Sequence, residues 1–358
     1  MKKIFNKIEN SLKQQKPFVV YRKPDAVQLK GVFLESTSLL YSTEFKESGF
    51  VFAPFDSEEK AILFPFRESL VLSEKIAFEE SSFSEEDEIF QVNEIQRKKH
   101  LKLVTAGIDE IEKTELTKIV LSRSEGLRVE GVDLVKILKK LLYNYKNAFV
   151  YLWFHPEIGL WMGATPETLL KLKNKHFETM SLAGTQPFIK DKKIVWGKKE
   201  LEEQQLVTNF IESQLKDISS DLTIFETETV KAGKLLHLRS KITGNLKDNC
   251  SLKSIVRSLH PTPAVCGFPR NLAKNFIVKN ENYNRSFYTG FLGEINNTDE
   301  ISKYKKSHLF VNLRCMEVLE DEVKIFIGGG ITKASNPEKE WLETVAKSKT
   351  IKNVLTKF

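Results

Sequence analysis

Cysteine is scarce in this chain: Cys250, Cys266 and Cys315 are its only three in 358 residues. Their number is odd, their spacing is wide and no C-x-x-C pair occurs. That argues against a disulfide framework or a thiolate zinc site and suits a reducing cytoplasm. Long apolar runs are missing too. None approaches the ~18 residues of a membrane span, and the start Met1-Lys2-Lys3-Ile4-Phe5-Asn6-Lys7 turns polar at once, unlike a signal peptide. No membrane partner is therefore expected. Neither G-x-G-x-x-G nor G-x-x-x-x-G-K-[ST] occurs, so dinucleotide and P-loop readings fail. Charge of one sign is not concentrated either. The 55 Lys+Arg against 48 Asp+Glu leave +7, but the basic residues are scattered, as between Lys190 and Lys199, where Asp191, Ile194, Val195 and Trp196 intervene. Without a basic arm or an aromatic-basic repeat, no nucleic-acid partner is expected.

What is present is a globular composition, 41% hydrophobic, in a chain long enough for one large or two ordinary domains. The runs Pro17-Phe18-Val19-Val20-Tyr21, Gly49-Phe50-Val51-Phe52-Ala53 and Ala61-Ile62-Leu63-Phe64 read as strands. The acidic, serine-rich stretch 78–88 reads as an exposed connection. It divides a β-rich part, 1–88, from the remainder, 89–358. Val92, Ile95, Leu103, Ala106 and Ile111 recur as on one helix face, which predicts a long helix over 89–115. Beyond it the pattern predicts a strand at 118–123, a helix over 133–145, paired strands at 148–154 and 159–163, a helix over 198–215, and late strands at 309–316 and 323–327. Strands and helices alternate without a βαβ rhythm. The fold class is therefore α+β with large, mostly antiparallel sheets.

Several residues could carry chemistry. Glu200 and Glu203, and likewise Glu340 and Glu343, stand three apart, so each pair shares a face of its helix. Two facing carboxylate doublets would suit Mg²⁺, which prefers oxygen ligands; ordinary solvated helix glutamates have the same spacing. Gly328-Gly329-Gly330 after a strand lets backbone N–H groups approach an oxyanion with no Cβ in the way, and a flexible turn uses the same run. Lys118 and Arg314 each open or close an apolar strand, where a charge is costly unless it is paired or reaches solvent. His260, in a proline-rich turn, reads equally as an acid–base group or as a structural histidine.

Together these pieces resemble the chorismate-utilising enzymes. Lys118 to Arg123, Gly163-Ala164-Thr165-Pro166-Glu167, Ser181-Leu182-Ala183-Gly184-Thr185, His260-Pro261-Thr262-Pro263-Ala264-Val265-Cys266-Gly267, Tyr288-Thr289-Gly290-Phe291-Leu292-Gly293, Leu313-Arg314-Cys315 and Gly328-Gly329-Gly330-Ile331 follow one another in that family's order. The match covers roughly 90–358, and residues 1–88 match only loosely. The resemblance implies two packed sheets ringed by helices, with the site in a cleft between them and the dicarboxylate chorismate as substrate. It implies Glu203 and Glu343 as Mg²⁺ ligands, with Glu200 and Glu340 supporting them through water. Glu167 would be the general acid and Lys118 the base that activates water. Arg314 and Tyr288 would hold the enolpyruvyl carboxylate, and Lys347 would be a further cation. Ala183, Gly184, Thr185, His260 and the glycines 328–330 are expected beside the substrate.

Lys118 stands where the isochorismate and salicylate synthases carry lysine. Ala183 replaces the lysine of those aminodeoxychorismate synthases that form a covalent adduct. The expectation is thus a cytoplasmic, monomeric isochorismate synthase serving menaquinone or siderophore synthesis, with menaquinone favoured. Salicylate synthase is the alternative, followed by anthranilate synthase component I. A silent chorismate-binding regulatory subunit would need one of Lys118, Glu167, Glu203 or Glu343 missing. The chain departs from the family at Gln204-Gln205, where histidine often follows the metal-binding glutamate; ligation is not threatened, but tuning of the metal by its neighbours would differ.

Overall fold

The computed structural model describes residues 1–76, 93–129, 131–191, 193–232, 235–298 and 303–355. The stretch 78–88, and with it the division at 88/89, lies outside the described residues. Among those described, the helices are α1 (Lys2–Lys13), α2 (Glu94–Lys113), α3 (Leu134–Asn144), α4 (Lys198–Lys216), α5 (Leu252–Leu259), α6 (Arg270–Asn280) and α7 (Pro337–Leu355). The strands are β1 (Phe18–Arg22), β2 (Gln28–Leu34), β3 (Tyr41–Ser42), β4 (Gly49–Ala53), β5 (Ala61–Pro65), β6 (Ser69–Lys75), β7 (Lys118–Arg128), β8 (Phe149–His155), β9 (Gly159–Thr165) and β10 (Thr168–Lys173). They continue as β11 (His176–Pro187), β12 (Ser219–Ile224), β13 (Glu228–Ala232), β14 (Leu235–Leu246), β15 (Gly267–Phe268), β16 (Phe291–Thr298), β17 (Lys305–Val311), β18 (Cys315–Val318) and β19 (Glu322–Ile331).

Residue pattern explains these elements. β1, β4 and β8 are unbroken apolar and aromatic runs, buried along their whole length, as strands covered on both faces must be. α1 and α3 are amphipathic and bury Ile4, Phe5 and Ile8, and Ile137, Leu138, Leu141 and Leu142. Side chains start three helices: Asn93 accepts from the Ile95 and Gln96 N–H groups, Asp133 accepts from Lys136 N–H, and Ser251 forms a capping box with Ser254. No described helix is long and apolar enough to cross a membrane.

The strands form two sheets. One runs β15-β7-β19-β18-β9-β8-β1-β2-β6; the other runs β12-β14-β11-β10-β17-β16-β4-β5-β3, with β13 also on β14. Every pairing described is antiparallel. The N-terminal strands are woven into both: β1, β2 and β6 extend the first sheet, and β3, β4 and β5 the second. Between the sheets lies an aromatic seam in which Phe52 stacks on Phe287 at 4.2 Å, Phe149 on Phe310 at 4.2 Å and Phe64 on Trp153 at 5.3 Å. Helices cover the outer faces. α1, α3 and α7 pack on the first sheet, α4 and α5 on the second, and α2 and α6 against β7. The expected α+β class is what is found.

Two local expectations need correction. The run 309–316 is not one strand: β17 ends at Val311 in one sheet and β18 starts at Cys315 in the other, with Arg314 in the left-handed region at φ 47° between them. The glycine run is not a turn. Gly328, Gly329 and Gly330 lie within β19, opposite Ser122, Leu121 and Val120 of β7.

A buried carboxylate also ties the sheets together. Glu294 of β16 pairs with Lys23 at 2.7 Å and Lys30 at 2.9 Å and accepts from the Tyr21 hydroxyl. Burial alone would raise its pKa, but the two lysines and the hydroxyl outweigh that and hold it well below the ordinary carboxylate range. The depressed value stabilises the fold above the unfolded pKa of ~4.3, and that stabilisation is lost as pH falls through the folded value. Glu294→Gln should therefore cost ~2–3 kcal/mol near pH 7, less than a fully buried pair because both lysines reach solvent. In chemical denaturation the gap from wild type should close as pH falls well below 4; a gap independent of pH would refute this.

Candidate active site

Two chain crossings between the sheets build the site. Pro166 and Glu167 carry the chain from β9 to β10, and Asn312, Leu313 and Arg314 carry it from β17 to β18. The crossings are bonded to one another, Val311 N–H to Glu167 C=O at 3.0 Å and Ala164 N–H to Arg314 C=O at 3.0 Å. Asn312 braces the second crossing: its amide donates to Phe287 C=O at 2.9 Å and accepts from the Tyr151 hydroxyl at 2.7 Å. Glu167 and Arg314 are thereby fixed on adjacent, rigid turns.

Around them a cavity is lined by Glu167, Ala183, Gly184, Thr185, Glu203, Tyr288, Arg314, Gly328, Gly329, Gly330, Glu343 and Lys347. Glu167 is 4% exposed and has no ion-pair partner among the described residues. Burial raises its pKa to about 8, with Lys118 and Lys347 pulling the other way, so near neutrality it is largely a protonated acid. Lys118 does not reach solvent. It opens β7 fully buried, with its ammonium 2.7 Å from a Glu203 oxygen. Arg314 donates only at 3.4 Å, to Lys347 C=O and the Thr350 hydroxyl, and no described carboxylate pairs with it. Burial lowers its pKa from the ordinary guanidinium value. Such a cation suits an anionic ligand. Tyr288 is buried and stacks on Phe326 at 5.4 Å; burial raises its phenol pKa.

The glycine strand makes room for the charged groups. A Cβ on Gly330 would stand 2.5 Å from a Glu203 oxygen and 3.0 Å from Lys118 Cε, and one on Gly328 would stand 2.8 Å from the Tyr288 hydroxyl. A Cβ on Gly329 would stand 3.6 Å and 3.7 Å from oxygens of Glu340 and Glu343. Three carboxylates thus border one bare stretch of β19. Each holds a lysine: Glu203 holds Lys118 at 2.7 Å, Glu343 holds Lys347 at 2.6 Å and Glu340 holds Lys199 at 2.5 Å. Burial works to raise the Glu343 pKa, but Lys347 and its neighbours bring it below the ordinary value; for Glu340 burial prevails and the value rises. Glu340 Oε2 is buried, with no hydrogen-bond partner among the described residues. An oxygen-only donor set with an unsatisfied buried carboxylate oxygen fits a hard cation such as Mg²⁺. Among the described residues no three potential ligands already stand around one point.

Other expected residues fall elsewhere. Glu200 does not line the cavity: its carboxylate lies at the start of α4, where a Cβ on Gly197 would meet it at 2.5 Å. His260 is a correction. It lies outside the cavity, fully enclosed, with Nε2 3.3 Å from Pro54 C=O and its ring edge-on to Phe291 at 5.0 Å; it is a structural histidine of the proline-rich turn. Sequence reasoning missed His237, which does line the cavity: Nδ1 donates to Gly184 C=O at 2.9 Å, and Nε2 is buried with no partner among the described residues. Burial holds the ring neutral, with a pKa of about 3. The available signal was a lone histidine inside the apolar run Leu235-Leu236-His237-Leu238, where a polar ring needs a reason. Lys199 was missed as well, hidden in the polar start of α4.

The family model described as chorismate binding enzyme matches residues 57–356. The vibriobactin-specific isochorismate synthase of Vibrio cholerae is 31% identical over 253 residues, taking in 66% of this chain and 61% of that protein. The chain thus spans about three-fifths of that relative's length. Among solved structures, MenF, the menaquinone-specific isochorismate synthase of Escherichia coli, superposes with TM-score 0.78 at 20% identity, over 95% of this chain and 89% of that one. Anthranilate synthase component I of Streptococcus pneumoniae superposes with TM-score 0.67 at 17% identity, over 93% and 89%. The fold is shared by both.

Glu167 offers a direct check. Carboxyl-carbon NMR, with Glu167→Gln as the blank, should find one carboxyl titrating at about pH 8. Lys347→Met should push it higher by removing a nearby positive charge. A Glu167 resonance titrating near pH 4 would contradict the burial argument.

Proposed function

Because the chain belongs to the chorismate-binding enzyme family, we propose that it is an isochorismate synthase, a Mg²⁺-dependent isomerase that exchanges the C4 hydroxyl of chorismate for a hydroxyl at C2. The observation that carries this reading is Lys118, which does not itself line the cavity but is buried directly behind Glu203, a lining residue, in the same site as a protonated Glu167.

The residues divide the work. Arg314, Tyr288 and Lys347 bind the carboxylates of a dicarboxylate substrate. Glu167 gives its proton to the C4 oxygen, so that the hydroxyl leaves as water. Lys118 acts as base only as the neutral amine, so its ammonium must first give up a proton to solvent, which a metal cation held by Glu203 in its place would favour; the amine then takes a proton from the water that adds at C2. Glu167 ends deprotonated and Lys118 protonated, and proton exchange resets both. Glu203 and Glu343 would hold Mg²⁺, with Glu340 supporting; the ion would polarise the ring carboxylate and orient it. Ala183 offers no nucleophile for a covalent adduct, which favours solvent as the source of the new hydroxyl. The anthranilate synthase shares the fold, so the fold alone does not choose the nucleophile; the lysine does.

Purified protein incubated with chorismate and Mg²⁺, without ammonia, should form isochorismate. In ¹⁸O-water the label should enter at C2 with the enolpyruvyl group intact. Pyruvate released as fast as chorismate disappears, read through lactate dehydrogenase, would replace this reading with salicylate synthase; anthranilate from ammonium salts would refute the role of Lys118.

Lys118→Ala and Glu167→Gln should each lower kcat by at least ~100-fold with little change in chorismate binding. Arg314→Ala should mainly weaken binding. Excess EDTA, Glu203→Gln or Glu343→Gln should nearly abolish turnover, and full activity in EDTA would remove the metal from the reaction.

A further inference from the structure

Arg123 follows the apolar opening of β7, and the reaction proposed above makes no use of it. Successive residues of a strand face opposite sides, so Lys118 and Arg123 serve different faces of β7. Lys118 meets Glu203, whereas Arg123 shares the face of Ile119 and Leu121, which pack against α2. There Arg123 is buried and reaches α7. Its Nε–H donates to the Thr344 hydroxyl at 3.0 Å, and its guanidinium lies 4.6 Å from the centre of the Trp341 ring. Nη1 donates to Glu125 at 2.8 Å, and the same carboxylate holds Lys352 of α7 at 2.6 Å. The Thr344 hydroxyl in turn donates to Trp341 C=O at 2.8 Å. His100 of α2 meets the Trp341 ring at 5.8 Å; burial and then Arg123 lower its pKa to about 4, so that ring adds no second charge.

Apolar packing does not fix this part of α7. The described apolar clusters take only Ile351, Val354 and Leu355 from the helix, all in its second half. Ahead of Ile351 its buried residues are Glu340, Trp341, Thr344 and Ser348. Directional contacts must then set how that part of the helix is turned. Arg123 makes two of them, and each falls on the immediate neighbour of a carboxylate: Trp341 follows Glu340, and Thr344 follows Glu343. Turning a helix by about 10° moves a side-chain end ~6 Å from its axis by ~1 Å. Coordination of a hard cation at ~2.1 Å does not tolerate that. Lysine could not take the arginine's place, because a compact ammonium cannot stack on the indole and donate from a planar fork at once.

We propose that Arg123 is a positioning residue: without lining the cavity, it fixes the rotation of α7 on β7, so that Glu340 and Glu343 stay at the bare stretch of β19 that Glu203 also borders. That these carboxylates hold a divalent cation rests on the function proposed above; the grip on α7 does not.

Mn²⁺, which takes the same oxygen ligands and whose free ion is counted by EPR, reads the arrangement without turnover. Arg123→Lys keeps the charge, and Thr344→Val removes the acceptor hydroxyl while keeping the side-chain shape. Each should raise the Mn²⁺ dissociation constant at least about fivefold. The two together should do no more than Arg123→Lys alone, because both break one contact. Val354→Ala is the control: it empties core space at the far end of the same helix, so it should destabilise the fold and leave the constant within about twofold. In turnover, Arg123→Lys and Thr344→Val should need proportionally more Mg²⁺ for half-maximal rate, with the KM for chorismate unchanged at saturating Mg²⁺.

Unchanged Mn²⁺ affinity in folded Arg123→Lys and Thr344→Val, or an equal loss in Val354→Ala, would overturn the proposal. A wild type that binds no Mn²⁺ would overturn it together with the metal assignment. Weakened Mn²⁺ binding by the two variants, in a protein whose wild type leaves chorismate untouched, would support the role of Arg123 and overturn the assigned reaction instead.

Discussion

Two antiparallel sheets can bury their inner faces against each other only if the chain passes between them, and every passage interrupts a ladder of backbone hydrogen bonds. Two passages here run side by side and satisfy each other, Val311 to Glu167 and Ala164 to Arg314. Once bonded in this way, the turns are among the least adaptable parts of the backbone, and the residues on them inherit that rigidity. Arg314 holds a left-handed backbone, φ 47°, that an arginine adopts only where its surroundings require it. The aromatic seam presses the sheets together on one side of the crossings, and on the other side they open. The acid and the arginine therefore sit where a closed core becomes a cleft, the place where a small molecule can be both reached and enclosed.

Burial then decides the charge states. Glu203, Glu340 and Glu343 each have a lysine, whereas Glu167 has none among the described residues and keeps its proton to about pH 8. Carboxylates a few residues or one strand apart thus become different chemical groups, three anions that attract cations and one neutral acid. Arg314 is the converse, a cation that no carboxylate among the described residues pairs with. The bare backbone of Gly328 to Gly330 lets these groups approach one another; a methyl at Gly330 alone would collide with Glu203.

Much of this was legible in the residues. Continuous apolar runs announced β1, β4 and β8 because strands covered on both faces need them, and the Glu200/Glu203 and Glu340/Glu343 spacings placed each pair on one helix. What was not legible depended on contacts distant in sequence. The run 309–316 looks like one strand, since nothing local tells Val311 from Cys315; only the partner strands put them in different sheets. The glycines look like a turn until ten residues of β7 pair along β19. His260 and His237 could not be ranked from sequence: each is a histidine among apolar neighbours, and only the fold points one at Pro54 and the other at the cavity. Lys118 and Arg314 announced themselves because a cation in an apolar strand demands a partner, although the sequence could not say that one would find Glu203 and the other no carboxylate among the described residues.

The departure at Gln204 can now be read physically. Its side chain is buried, and its amide N–H groups donate to Ser181 C=O at 3.2 Å, Ser181 Oγ at 2.9 Å and Ser240 Oγ at 3.2 Å, while Thr208 meets the same Ser181 hydroxyl at 2.8 Å. These bonds fasten α4 to β11 and β14 at the residue next to Glu203. A neutral imidazole has a single N–H to offer and could not serve both serines as donor, and an imidazolium would place a second cation near Lys118. The amide fastens the helix without adding charge. Glu203 thus keeps Lys118 as its sole ion-pair partner among the described residues, and the position of that carboxylate is set by neutral hydrogen bonds that do not change as pH moves through the range where a histidine would titrate.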